Sequence, residues 1–235
     1  CAEVVPEAFG LSSLMVSRRY VKATARKLAQ FQERSLEGYD LVALFLDGKS
    51  FADEQIIIAL GVTLDGQKIP LGFVQAATEN ERACRGFLAD LIGRGLRYEA
   101  GLLVVIDGAK GLYQAVLPVF TGHACVQRCQ YHKRKNVVSY VPKSEQARLR
   151  RQMEAAYGKS NYAAAKAALE ALKPGLKLMN QSALRSLEEG LEETLTLHRL
   201  GLMPWLKKSF RTTNCIENVN SLLGQLTHNV RRWTK

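Results

Sequence analysis

Leu41-Val-Ala-Leu-Phe-Leu-Asp47-Gly48 and Leu102-Leu-Val-Val-Ile-Asp107-Gly108 decide how this chain is read. Each is an apolar run that delivers an aspartate at its tip. A strand that is apolar on every residue is buried on both faces of a sheet, so a carboxylate at its tip sits at the edge of that sheet. Two such strands side by side bring two carboxylates together. Paired carboxylates are the donors with which proteins hold Mg²⁺ or Mn²⁺ for phosphodiester chemistry. Asp-Gly is also a turn signal in its own right. Asp65-Gly66 is used that way here, between the apolar runs 54–63 and 67–75, where it predicts a hairpin. Asp47 and Asp107 differ in context: each ends an apolar strand, and Asp107 leads towards a helix. In open α/β sheets ligands gather at such strand ends.

Working outward, residues 11–37 read as a helix. Leu14, Arg18, Val21, Ala25 and Leu28 recur at helical spacing, the polar face is basic, and Gly38 ends it. Strands are expected at 41–46, 54–63, 67–75, 102–106 and 123–127, with helices at 80–96 and 109–117. A basic helix follows Arg128-Cys-Gln-Tyr-His132. From residue 144 to about 202 the sequence is rich in Ala, Leu, Glu and Lys, broken by Pro174. Glu188, Glu189, Glu192 and Glu193 read as a solvated acidic face. A last helix is expected after Arg211. Three strands in succession, followed by alternating helices and strands, predict an α/β fold with a mixed sheet and helices on its faces.

The 235 residues carry 33 Lys+Arg against 22 Asp+Glu, a formal net charge of +11, which suits a polyanionic partner. No apolar run approaches the ~18 residues that a membrane span needs. Cys1-Ala-Glu-Val-Val-Pro6 has neither a charged leader nor an apolar signal core. The missing initiator Met and the abrupt stop at Trp233-Thr-Lys235 lead us to expect a piece of a longer protein. Five cysteines without framework spacing suit reduced thiols, hence a cytoplasmic location.

Glu217 is the candidate third carboxylate. Asn214-x-x-Glu217 has capping-box spacing, in which the carboxylate satisfies a backbone N–H. The same position at a helix N-terminus facing a sheet suits a metal ligand, and both readings stand. His123, Cys125, Cys129 and His132 suggest a zinc site, but their spacing is irregular and lacks a second ligand arm. Strand alternation assigns Cys125 to the core, while Cys129 and His132 flank a turn beside the sheet and shape an active site. Between Arg128 and Arg151 lie Arg128, Lys133, Arg134, Lys135, Lys143, Arg148, Arg150 and Arg151, with Tyr131 and Tyr140 interleaved. Such a stretch suits contact with phosphate backbone, or is an ordinary solvated helix. Arg231, Arg232 and Trp233 form a second basic-aromatic cluster.

Leu46-Asp47-Gly48, Val105-Ile-Asp107-Gly108, Gln127-Arg-Cys129-x-x-His132 and Thr212-Thr-Asn214-x-Ile-Glu217-x-x-Asn220 occur in this order. Over residues 40–235 the chain thereby resembles the prokaryotic Mutator-like insertion-sequence transposases of the DDE group. The resemblance implies a ribonuclease-H-like mixed sheet with flanking helices, interrupted by an all-helical insertion. Residues 1–38 would be the remnant of a DNA-binding region, 39–142 the first part of the core, 143–208 the insertion and 209–235 the final core helix. Asp47, Asp107 and Glu217 would hold two Mg²⁺ (or Mn²⁺) ions, with Cys129 and His132 near the catalytic centre. Arg128, Lys133, Arg134, Lys135, Arg211, Arg231 and Arg232 would meet DNA phosphates. The implied activity is DNA strand cleavage and strand transfer on double-stranded DNA, at element ends and target, by a homodimer or higher assembly in the nucleoid. The alternatives are an inactive or domesticated DNA-binding module and a nuclease of the same fold.

Overall fold

The computed structural model describes residues 12–51, 54–76 and 80–227. Within them β1 (Leu41–Phe51), β2 (Glu54–Thr63), β3 (Lys68–Ala76), β4 (Leu102–Ile106) and β5 (Ala124–Arg128) form one sheet in the order β3-β2-β1-β4-β5. β1, β2 and β3 are antiparallel neighbours, while β4 runs parallel to β1 and β5 parallel to β4. The expected α/β class with a mixed sheet is therefore observed. The β2–β3 hairpin turns at Leu64-Asp65-Gly66, where Gly66 takes φ +86° and its N–H donates to the Thr63 carbonyl at 2.9 Å.

Period-two alternation assigns the faces of β1 and β4. Leu44, Leu46, Val104 and Ile106 pack with α2 (Glu81–Gly93) and α3 (Lys110–Val119). Ala43, Phe45, Leu103 and Val105 face the opposite layer, where Leu197, Met203, Phe210 and Ile216 cover them. From Ala43 to Leu46 and from Leu102 to Ile106 these strands are apolar because both of their faces are buried. By the same alternation Asp47 and Asp107 continue the second face, two residues beyond Phe45 and Val105.

One expectation needs correction. β1 does not end at Asp47; it runs on to Phe51, because pairing with β2 continues from Asp47↔Ile58 to Phe51↔Glu54. β4 does end at Ile106, opposite Leu46. Asp47 therefore lies where β1 loses its parallel neighbour, and Asp107 is the next residue beyond that last pair.

The first helix, α1 (Ser13–Glu33), starts at an Ser12 N-cap and stops before Gly38. Its end guards the edge of the sheet. The Gln32 side-chain amide donates to the Phe73 carbonyl at 2.6 Å and accepts from the Phe73 N–H at 3.4 Å, mimicking a strand neighbour on β3. Pro70 sits on this same edge strand, where a missing N–H is tolerated.

The basic stretch is two helices, α4 (Gln130–Ser139) and α5 (Lys143–Tyr157), broken at Pro142. Six further helices follow: α6 (Tyr162–Glu170), α7 (Lys173–Met179), α8 (Gln181–Glu188), α9 (Leu191–Thr194), α10 (Thr196–Arg199) and α11 (Met203–Phe210). A core distinct from the sheet's joins Leu149, Met153, Leu169, Leu184 and Leu187 to Val137 and Val138 of α4. α12 (Asn214–Thr227) returns to the sheet through Ile216.

Arg128 and Lys133, expected at a phosphate backbone, are interior ties between these cores. Arg128 is 8% exposed; its guanidinium donates to the Gly108 carbonyl at 2.8 Å and the Glu189 carbonyl at 3.3 Å. Gly190, at φ +65°, leaves it room: a Cβ there would lie 2.0 Å from Arg128 Nη1. Lys133 is 3% exposed and donates to the Ser186 carbonyl at 2.7 Å and to the Glu189 carbonyl. Burial and the neighbouring Arg128 push its ammonium down to about 8. Arg128→Ala should therefore lower unfolding free energy by about 2–4 kcal/mol, the cost of stripping buried carbonyls of a charged donor. Urea denaturation checks this, and the salt slope of DNA binding should hardly change.

Candidate active site

β1, the segment after β4, and α12 each contribute one carboxylate to this end of the sheet. Asp47 is 8% exposed, and its Oδ2 accepts a hydrogen bond from the Asn220 side-chain amide of α12. Burial first, then the negative charges of Asp107 and Glu217, push the Asp47 carboxyl up to about 7, against the opposing pull of His132 and the Asn220 bond. Asp107 and Glu217 thus both lie within electrostatic reach of Asp47. Asp107 is held by the Ala109 N–H, which donates to its Oδ1 at 2.8 Å.

Glu217 does not form the capping box its spacing allows. Thr213 occupies the cap: its carbonyl accepts the Ile216 and Glu217 N–H groups at 2.9 and 3.0 Å, and its hydroxyl donates to Glu217 Oε1 at 2.9 Å. Among the described residues the Glu217 carboxylate is thus bound by a side chain rather than by the Asn214 N–H, and its second oxygen is left over.

Cys129 and His132 meet this assembly through Thr213. The Thr213 Oγ1 lies 3.7 Å from Cys129 Sγ and 3.5 Å from His132 Nδ1, and His132 Nε2 lies 3.9 Å from Glu217 Oε1. A backbone bond from the Gln130 N–H to the Arg211 carbonyl, 2.9 Å, clamps the start of α4 to the segment before α12. Burial works to raise the Cys129 thiol, but the hydrogen bonds and charge of His132 outweigh it and hold it below its usual value. The His132 imidazole is raised by its bond to Cys129, against burial, with Asp107 and Glu217 adding to the rise. Thr213→Val keeps the shape and removes the hydroxyl. It should cut any activity of the site roughly 10–100-fold, with Thr213→Ser restoring most of it; initial rates on one substrate check both.

The donor set suits a hard divalent cation. Each carboxylate has one oxygen oriented by a protein donor, which leaves Asp47 Oδ1, Asp107 Oδ2 and Glu217 Oε2 without a protein partner among the described residues. A cation there would offset the burial and the repulsion that raise Asp47. The side chains do not close into a cage by themselves: among the described residues no three His, Cys, Asp or Glu groups form a ready-made metal cluster. This applies to the zinc alternative as well. Cys125 is exposed rather than in the core, because Ala124 and Val126 take the inward positions of β5.

The remaining basic residues divide. Lys135 is exposed on α4. Arg134 lies 5.7 Å from the Tyr131 ring centroid and 3.2 Å from Glu154. Arg211, with Arg134, lines a cleft that opens beside Glu217. Arg231 and Arg232 lie outside the described residues. No helix among the described residues is long and apolar enough to cross a membrane.

Thr213 was invisible as a hub in the sequence, although its place just before Asn214-x-x-Glu217 is an N-cap position. Gln127 stood out only as the first residue of Gln127-Arg-Cys129-x-x-His132, and Gln130 carried no local signal. Both donate to the Thr194 carbonyl, at 3.0 and 2.9 Å, more than sixty residues away.

The chain is thus an α/β protein with a five-stranded mixed sheet, one aspartate on β1 and one just after the adjacent β4, and a helix-borne glutamate near a cleft lined by Arg134 and Arg211. Residues 3–233 match the family described as "Transposase, Mutator family", and the chain belongs to that family. It is 34% identical over 213 residues to the transposase for insertion sequence element IS905 of Lactococcus lactis, covering 88% of this chain and 53% of that protein. It is 29% identical over 224 residues to the transposase for IST2 of Acidithiobacillus ferrooxidans, covering 90% and 72%. It is also 29% identical over 237 residues to the transposase for ISRM5 of Rhizobium meliloti, covering 97% and 57%. The chain thus spans between about half and three quarters of the length of these relatives.

Proposed function

We propose that this chain is the catalytic core of an insertion-sequence transposase that cleaves DNA strands and joins them to a target. What supports this reading is the Asn220 bond that ties α12 to Asp47, together with the burial and the nearby charges of Asp107 and Glu217 that push Asp47 up to about 7. The strand order β3-β2-β1-β4-β5 supports a ribonuclease-H-like core in two parts, 39–142 and 209–235. The helices of 143–208, with a core of their own, would be the insertion between them.

In this reading Asp47, Asp107 and Glu217 hold two Mg²⁺ or Mn²⁺ ions through the oxygens that no protein donor occupies. When bound, the ions would lower the pKa of the attacking hydroxyl or water and neutralise charge on the leaving 3′-oxygen. The protein's own part is orientation. Asn220 fixes Asp47, the Ala109 N–H fixes Asp107, and Thr213 fixes Glu217 with His132 and Cys129 behind it. Lys135, Arg134 and Arg211 would meet backbone phosphates, and the net charge of +11 favours encounter with DNA. The partners would be the element's double-stranded ends and target DNA in the nucleoid, engaged by a dimer or larger assembly.

Supercoiled plasmid carrying the element's ends, incubated with the chain and Mg²⁺, tests the proposal. Nicked and joined products are expected with Mg²⁺ or Mn²⁺ and none in EDTA. DNA binding without any metal-dependent product would leave the binding-module alternative.

A further inference from the structure

The cleft beside Glu217 has a volume of about 260 Å³ and is walled by Gln130, Tyr131, Arg134, Arg211, Thr212 and Asn214 among others. Two polar atoms of that wall are buried with no partner among the described residues: Gln130 Oε1 and Thr212 Oγ1. Gln130 is 3% exposed, and its Nε2 is fixed on the Thr194 carbonyl at 2.9 Å. Its Oε1 is therefore held as a committed acceptor. Buried polar groups are nearly always satisfied, so two orphans in the wall of one cleft call for a ligand that donates to them.

The rim supplies the rest of that ligand's chemistry. Tyr131 is 45% exposed, beside the Arg134 guanidinium, and offers a face on which a flat ring can stack. Arg211 lines the cleft as a cation for anionic oxygens, and Arg134, whose guanidinium already pairs with Glu154 of the same wall at 3.2 Å, adds a second. A second groove of about 420 Å³ shares Tyr131 and Arg134 and continues to Lys135 and Arg150, so the cationic path leads away from Glu217. A stacking face, a recessed acceptor with a hydroxyl, and flanking cations match a π system, an exocyclic amine and phosphates. The cleft has room for one extruded base and none for a duplex.

We propose that this cleft captures one unpaired, amine-bearing nucleobase next to the scissile phosphate. The base stacks on Tyr131, its amine donates to Gln130 Oε1, and its neighbouring phosphates meet Arg134 and Arg211. Adenine and cytosine present such a donor, whereas thymine presents a carbonyl oxygen in its place. This assignment rests on the catalytic-core reading, since it is the proximity of Glu217 that puts the base beside the reacting bond.

The test is fluorescence anisotropy in EDTA with the whole chain and three probes: a blunt duplex, the same duplex with an unpaired adenine flap, and the same with a thymine flap. Wild type should favour the adenine flap over blunt duplex about tenfold, and over the thymine flap about fivefold. Tyr131→Leu, an exposed change, should bring the flap-to-blunt ratio near one. Thr212→Val should shrink the adenine-to-thymine ratio while keeping a flap preference. Equal wild-type affinity for flap and blunt duplex, or an undiminished preference in Tyr131→Leu, overturns the proposal. If duplex binding and metal-dependent cleavage persist in that case, the cleft assignment alone is lost. A flap preference without any cleavage in Mg²⁺ keeps the cleft and sinks the catalytic reading. Failure to bind any of the probes sinks both.

Discussion

Asp107→Ala should abolish strand cleavage, with a loss on the order of 10³-fold or more, while DNA affinity stays within about twofold of wild type. Asp107 follows the last residue of β4 and faces the layer that holds α12, so it touches neither sheet pairing nor core packing. Its hydrogen-bonding partner is the Ala109 N–H, a local bond in the loop. Removing the carboxylate therefore costs the fold little and takes away one of three charges that a divalent cation would need. Plasmid nicking and gel-shift titration on the same preparation separate the two effects. Cleavage at the wild-type rate would remove Asp107 from the site.

Asp47 carries the second large effect, and it runs in opposite directions for activity and stability. Its carboxyl is pushed up from 3.8 to about 7 by burial and by Asp107 and Glu217. Between those two values the folded protein keeps a proton that the unfolded chain has released. Stability of the metal-free protein therefore falls as pH rises through that window, and the full cost is present above about pH 7. Asp47→Asn keeps the bond from Asn220 and removes the ionisation. It should raise unfolding free energy by about 2–4 kcal/mol at about pH 8 and leave it unchanged near pH 3, as read by thermal melts in EDTA. The same variant should be inactive. In wild type, a cation needs the ionised carboxylate, so cleavage at subsaturating Mg²⁺ should climb with pH and level off above about 7. A destabilised Asp47→Asn at alkaline pH would show that the carboxylate is not under repulsion.

The sheet was legible because its signals are local. Apolar runs bounded by Asp-Gly and Gly gave strands within a residue or two, and Leu64-Asp65-Gly66 is the expected hairpin. The extension of β1 to Phe51 was not legible, since Lys49 and Ser50 look like turn residues until β2 is seen to pair with them. The carboxylates could be singled out from context, but whether Glu217 caps its helix or faces the sheet depended on Thr213 taking the cap. Charge misled at Arg128 and Lys133. A basic run reads as surface, and the backbone carbonyls of Gly108, Ser186 and Glu189 that draw these two cations inward come from distant segments. For the same reason Cys125 was assigned to the wrong face: its strand is too short for alternation to fix which parity is inward.

Whether Asp47, Asp107 and Glu217 share a metal is best read from anomalous diffraction of crystals of this chain grown with Mn²⁺. Mn²⁺ is expected at Asp47 and Asp107, with Glu217 as a further ligand. Asp47 and Asp107 free of metal at saturating Mn²⁺, or a metal bound there without Glu217 among its ligands, would overturn that assignment.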